Sequence, residues 1–421
     1  MKYSYLLFAV IILITVVTSV FLIPSNLANK NVEPEFFVGI SFCGNTTTQA
    51  KLLIDRTKEY VNLFVLQSFP ISRNESAIYE ICDYAVAQGL NIIINLGTYD
   101  KETWDWHYEI FLNGKTRWGN QFKGVYYDDE PGGVQLDYNW SAYFANETNR
   151  AFFERILNNP NMTHTPPLVQ MYAKIESARV NGTAPQDYEL EAETFTYFYR
   201  EYSAFKNMSR AGIKTFTSDY ALFWWDYLVG YDVILAQLGW NSSYIKDITF
   251  IRGAARLQNK EWGVIITWKY DEQPYLDSGV ELYNQMLTAY QAGAKYVVVF
   301  NYPPIGDNLY GGTMTDEHFA ALEKFSNDVM SRSAIRVISD ESQAEAVLVL
   351  PHNYAWGMRK PNDRIWGYWG PDEKSPQIWN ITTRLLLQYR LRLDIVYDDT
   401  AFPVEGKYQR IYYWNSTLLQ K

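Results

Sequence analysis

One pattern constrains this chain more than any other. A short apolar strand followed by a helical stretch recurs eight times between residues 36 and 331. The strands read as Phe36–Phe42, Asn62–Gln67, Asn91–Leu96, Phe122–Asp128, Lys214–Asp219, Asp232–Leu238, Gly263–Trp268 and Lys295–Asn301. They are near-continuous apolar runs, as parallel strands covered on both faces must be. Helical patterns follow at Thr47–Tyr60, Ser76–Gln88, Asp137–Asn158 with Asp187–Met208, Ser242–Gln258, Gly279–Gln291 and Asp316–Ser331; those after strands three and five are less clear. Gly89, Gly212 and Gly293 fall where a left-handed C-cap closes a helix. Eight such units predict a (β/α)8 TIM barrel over residues 35–332, with a doubly wound sheet as the alternative. An insertion at Asn159–Pro185 reads as a hairpin or lid over the barrel mouth.

From residue 333 to 421 the pattern restarts as a small α/β domain. It has a strand at Ala346–Pro351, a helix at Gln377–Arg390, and strands at Asp394–Tyr397 and Tyr408–Tyr413. It is too short for a full doubly wound domain and must lean on the barrel. The aromatic segment His352–Glu373 between its first strand and helix is expected to reach toward the mouth.

Ahead of the barrel, Tyr5 to Ile23 form an apolar or small-residue run behind Lys2. It is long enough to cross a bilayer and lacks a clean cleavage site. Residues 1–24 therefore read as an uncleaved transmembrane anchor, with a cleaved signal helix as the alternative, and 25–34 as a linker. Asn-x-Ser/Thr occurs at Asn45, Asn74, Asn139, Asn146, Asn161, Asn181, Asn207, Asn241, Asn380 and Asn415, where roughly three are expected by chance. Both signals point to a glycoprotein at the cell surface or secreted, outside the cytoplasm. The two cysteines, Cys43 at a strand end and Cys82 in a helix, are too few for a disulfide framework and read as two free, mostly buried thiols, with a single bridge as the alternative. The four histidines have no metal-ligand spacing, so no metal and no cofactor is expected. Net charge is −10 with no basic block, which argues against nucleic-acid partners.

Barrel sites lie at the C-terminal strand ends. Here those ends carry amides, carboxylates, Trp and Tyr, and lack the glycine-rich nest and lysine of a phosphate site. The densest is strand four, which runs into Asp128-Asp129-Glu130-Pro131-Gly132-Gly133. Pro131 is expected to hold Glu130 extended, and Gly132-Gly133 to turn the chain. Alternation would put Tyr126, Asp128 and Glu130 on one face and Asp129 on the other. Paired carboxyls on one face push each other's pKa apart into an acid and a base. The catalytic candidates are Glu130, Asp128, Asp129, Asp219, Glu272 and Asp271. The substrate-binding candidates are Trp268, Trp240 and Tyr220 as sugar platforms, and Asn241, Gln237, Tyr126 and Asn301 as polar contacts. The ordinary readings are an acidic helix cap, a solvated loop and core packing.

Strand four ending in Asp129-Glu130-Pro131 and strand seven ending in Trp268 resemble the (β/α)8 glycoside hydrolases of the retaining clan. That likeness implies Glu130 as acid/base and a carboxylate nucleophile at the end of strand seven. The clan's Asn before the acid/base Glu is Asp129 here, and the nearest acids after Trp268 are Asp271 and Glu272. Asp128-Asp129-Glu130 also resembles the strand-four ending of chitinase-like barrels, where the substrate's acetamide is the nucleophile. Lys123 and Tyr126 stand where that motif carries its earlier acids. The strand/helix order after residue 333 resembles a truncated flavodoxin- or amidotransferase-like domain, as follows the barrel in some β-galactosidases. The expectation is a membrane-anchored glycosidase acting on an oligo- or polysaccharide. The alternatives are a non-catalytic glycan-binding or envelope protein, and a barrel lyase or metal-dependent hydrolase using the acid cluster.

Overall fold

Eight strands, each hydrogen-bonded in parallel to the next, close into a barrel in the computed structural model. It describes residues 36–416 apart from 96–103, 149–150, 152–153, 156–157, 159–168, 170–171, 174–175, 178–184, 201–202, 241, 303–308 and 331–342. In chain order the barrel runs β1 (Phe37–Phe42), α1 (Thr47–Thr57), β2 (Leu63–Leu66), α2 (Glu75–Ala87), β3 (Asn91–Asn95), α3 (Trp104–Trp118) and β4 (Phe122–Tyr126). It continues through α4 (Pro131–Asp137), α5 (Trp140–Ala145), α6 (Tyr188–Arg200), α7 (Ser203–Arg210), β5 (Thr215–Asp219), α8 (Phe223–Val229) and β6 (Val233–Leu238). It closes with α9 (Tyr244–Leu257), β7 (Glu261–Ile266), α10 (Gly279–Gln291), β8 (Tyr296–Val299) and α11 (Asp316–Met330). β8 returns to β1 in the register Phe37–Tyr296 to Ile40–Val299.

The lumen is a packed core. Phe37, Leu63, Val65, Ile93, Tyr126, Phe216, Val233, Leu235, Ile265, Tyr296 and Val298 fill it. Phe37 stacks on Tyr296 at 4.9 Å and Phe216 meets Tyr296 edge-on at 5.3 Å. These residues set the parity of each strand. Ser218 shares the inward face of Phe216, and Gln237 that of Val233 and Leu235, so both arrive at the mouth. Gly89, Gly212 and Gly293 have positive φ, as expected of left-handed C-caps.

Three local expectations fail around strand four. β4 ends at Tyr126, two residues early, and the glycine pair does not turn the chain: it opens α4, with Pro131 in the first helical position. Glu130 is left-handed (φ 55°, ψ 46°) rather than extended, and Asp128 is left-handed too (φ 59°). Glu130 N–H donates to Ser218 O at 3.0 Å, so a neighbouring strand overrides the local preference. The glycines are needed for close approach. A Cβ on Gly132 would lie 2.6 Å from Leu222 Cβ, and one on Gly133 2.2 Å from the Tyr220 ring.

The segment after the barrel is a three-stranded parallel sheet, β9 (Ala346–Leu350), β10 (Leu393–Tyr397) and β11 (Arg410–Tyr413), in the order β10-β9-β11. One helix, α12 (Ser375–Tyr389), connects β9 to β10. Three strands and a helix do not distinguish an amidotransferase-like domain from any other small α/β unit. This unit leans on the barrel through Arg252 of α9. Its guanidinium is buried against Asp394 at 2.7 Å and against the Leu391 and Leu393 carbonyls. Trp225 of α8 packs on Tyr397 at 4.4 Å and on Trp366 at 4.9 Å. Segment 352–373 reaches the flank of the mouth, where Arg359 grips Asp137 at the end of α4 at 2.6 and 2.9 Å.

The expected anchor lies outside the described residues, and so does most of the insertion at 159–185. Among the described residues no helix is long and apolar enough to cross a membrane. Cys43 and Cys82 are free and buried.

Candidate active site

The mouth is organised by three adjacent strand ends, β4, β5 and β6. Left-handed turns at Asp128 and Glu130 break the alternation that an extended strand would keep. Asp129 therefore swings to the Tyr126 side: Tyr126 donates its phenol to Asp129 Oδ1, and Ser218 Oγ lies 3.2 Å from the same oxygen. Tyr126 and Ser218 are themselves bonded at 2.6 Å. Glu130 follows, its Oε1 taking the Gln237 amide N–H at 2.6 Å; that amide also reaches Ser218 Oγ at 3.0 Å. Asp129, Glu130, Tyr126, Ser218 and Gln237 thus form one network.

Burial pushes the Glu130 carboxyl up to about 7, and the Asp129 charge adds to this against the pull of the Gln237 hydrogen bond. Asp129 is pushed up by burial as well, offset by Tyr126 and Ser218. Its residue surface is nevertheless exposed, which limits that effect, so Glu130 is the group that keeps a proton near neutrality. Cys43, beneath Asp129, is a structural thiol that burial holds up near 12.

The other candidate acids stand elsewhere. Asp128 is half-buried and acts on Tyr231, in the layer behind the barrel wall, so it does not share a face with Glu130. Asp219 is fully buried on the outward parity of β5. It accepts N–H groups from Gly132 (2.6 Å), Gly133 (2.9 Å), Tyr220 (2.7 Å) and Ala221 (3.1 Å). It is the cap of α4, held by these backbone groups on the face turned away from the lumen. Asp271 and Glu272 are exposed on the loop after β7.

Of the substrate candidates, Gln237 and Tyr126 belong to the acid network. Tyr220 bonds Asp137 at 2.8 Å, and although burial pulls the Asp137 carboxyl up, Arg359 and Tyr220 hold it below its ordinary range. Trp240 is 47 % exposed and its indole N–H reaches Gln237 Oε1 at 3.4 Å. Trp268 lies between Trp240 (6.1 Å), Tyr275 (5.0 Å) and Tyr302 (5.5 Å). An aromatic wall on β6–β8 thus starts where the acid network ends. Asn301 is buried, its Oδ1 accepting the Thr313 and Met314 N–H groups, so it latches a loop. Asn241 lies outside the described residues.

Sequence reasoning missed Ser218, Arg359 and Tyr302. The parity of β5 from Phe216 would have found Ser218; no local signal marks the other two. Among the described residues no group of three or more His, Cys, Asp or Glu side chains is arranged to hold a metal ion.

No protein-family model matches the chain, and no curated protein matches it. Solved structures do. GH5_18 from Streptomyces cattleya in complex with GlcNAc is 10 % identical, covers 90 % of this chain and 99 % of its own, and has a TM-score of 0.49. The GH99 endo-alpha-mannosidase from Bacteroides thetaiotaomicron is 8 % identical over 70 % and 84 %, with a TM-score of 0.39. A 3-hexulose-6-phosphate synthase is 11 % identical over 70 % and 99 %, at 0.34.

Proposed function

We propose that this protein is a glycoside hydrolase that works without a cofactor, with Glu130 as general acid. The observation that carries the reading is the Glu130 carboxyl itself. It is held in the mouth by a 2.6 Å bond from Gln237 and pushed up to about 7 beside a second carboxyl, Asp129. An acid that keeps its proton near neutrality can protonate a glycosidic oxygen as the bond breaks. Asp129, oriented by Tyr126 and Ser218, is the carboxylate placed to balance positive charge developing on the sugar ring. Trp240, Trp268 and Tyr302 supply faces on which sugar rings stack. The substrate is an oligo- or polysaccharide, and the protein acts outside the cytoplasm. Exposed sequons at Asn45, Asn74, Asn139, Asn146, Asn380 and Asn415 support that location; an unchanged mass after enzymatic deglycosylation of the native protein would count against it.

A second reading, a non-catalytic glycan-binding protein, is favoured by one feature. The end of β7 places Trp268 at the mouth, and its nearest following acids are exposed on a loop. Glu130→Gln separates the two. The hydrolase reading expects turnover on a glycan panel to fall at least roughly a hundredfold with binding kept. Binding without hydrolysis by either form would establish the second reading.

A further inference from the structure

The helix behind the acid is too short to hold itself. α4 has seven residues, about 10 Å of length, well under what stands alone in water. Glu130 is tied to it, because its carbonyl accepts the Val134 N–H at 2.8 Å as the first bond of the helix. Glu130 therefore stands where α4 stands. Asp219 holds the front of α4; the back is held by the unit that follows the barrel. Gln135 donates its side-chain amide to Trp366 O at 3.0 Å, and Gly367 comes so close to Gln135 O that a Cβ there would lie 2.0 Å away. Trp140, just past α4, donates to Gln135 O at 2.8 Å and stacks on Tyr368 at 5.7 Å. Asp137 ends the helix, where a carboxylate opposes the helix dipole. Arg359 compensates it with two hydrogen bonds, at 2.6 and 2.9 Å. The same guanidinium is fixed by buried Asp363 through two nitrogens, each at 2.8 Å.

We propose that Arg359, aligned by Asp363, is a positioning residue of the active site, and that segment 352–373 of the unit after the barrel sets the place of Glu130 through α4. The barrel supplies the acid and its Gln237 partner. The later unit supplies the wall against which the acid's helix is seated. Trp366 stiffens that wall, since it is buried and packs on Trp225 at 4.9 Å and on Phe195 at 6.0 Å. Arginine suits the post, because its planar fork spans two carboxylates at once and an ammonium does not. The ionisable groups around Glu130 are Asp129, Asp137, Asp219, Tyr126 and Tyr220; those around Asp137 are Arg359, Arg364 and Tyr220. Arg359→Lys keeps the charge balance among them and loses only the fork.

The inference rests on Glu130 being the acid of the proposed hydrolase, and its test reads the place of Glu130 without turnover. The Glu130 midpoint is followed by carboxyl NMR, the Gln237 side-chain amide by proton NMR and Tm by calorimetry, on the full chain. In Arg359→Lys the back of α4 is released, so Glu130 gains water and slips from Gln237. Burial is the largest influence on Glu130, so its midpoint should fall from about 7 by roughly half a unit or more, and the Gln237 amide proton should move upfield. Gln135→Ala cuts the tie to Trp366 without touching a charge, and should shift both readouts the same way. A midpoint that holds or rises overturns the proposal, and a lower Tm beside it marks Arg359 as merely structural. If Arg359→Lys does not fold, Gln135→Ala decides by the same criteria. Where a substrate is in hand, Arg359→Lys should lose roughly tenfold or more in kcat with KM little changed, as a misplaced acid does. Failure of the NMR readouts leaves the hydrolase reading standing. Unchanged turnover in Glu130→Gln removes that reading and leaves the NMR result intact.

Discussion

Gln237, at the end of β6, donates its amide N–H to Glu130 Oε1 at 2.6 Å, across the strand that separates them. The bond favours the charged form of Glu130, whereas burial and Asp129 oppose it, and the balance leaves the carboxyl near 7. Activity that needs the protonated acid should therefore fall as pH rises through about 7. Gln237→Leu removes the one influence that lowers Glu130, so the basic limb of the profile of log kcat/KM against pH should move to higher pH. A limb that stays put or moves down would separate Glu130 from the observed proton.

The same shift has a stability sign. Glu130 holds its proton in the folded state above the ordinary glutamate range, so its contribution is full below that range and is lost as pH rises to about 7. Glu130→Gln cannot ionise. Its Tm should match wild type at pH 4 and exceed it at pH 8, as scanning calorimetry would show.

Gly133→Ala should damage the site through its neighbour. The new Cβ would sit 2.2 Å from Tyr220 Cζ, so the ring must leave its bond to Asp137. Overpacking of this kind costs about 1–3 kcal/mol. Urea unfolding should register that loss, and kcat should drop with it because α4 carries Glu130.

Trp240→Ala tests the aromatic wall without touching the core, since Trp240 is 47 % exposed. Losing one stacking face should weaken saccharide binding by about 1 kcal/mol, roughly fivefold. Calorimetric titration would measure it, and Tm should not change.

Arg252→Ala leaves Asp394 charged and buried without its main partner, at a cost of roughly 3–5 kcal/mol. Replacing both Arg252 and Asp394 with leucine should recover much of that loss. Denaturant unfolding of the single and double variants checks the coupling between α9 and β10.

The eight strands were legible because each is apolar on both faces and ends in a recognisable break. All eight are read to within two residues at either end; β4 was extended over Tyr127 and Asp128, which follow it. Three of the acids at the mouth were misplaced for related reasons. Asp128 and Asp129 exchange faces because both Asp128 and Glu130 take positive φ, which no propensity of Asp or Glu announces. Asp219 is a cap rather than an attacking group because strand parity turns it away from the lumen, onto backbone groups of a segment nearly ninety positions earlier.

The sequence by itself determined the barrel and the strand end that carries the acid. Hydrophobic periodicity is a local property, and eight equal units have one compact way to bury their strands. The tertiary structure alone decided which carboxyl faces the substrate space, which is spent on capping, and which keeps a proton. Those outcomes depend on hydrogen bonds between β4, β5, β6 and α4, and on how dry each carboxyl becomes when these elements meet.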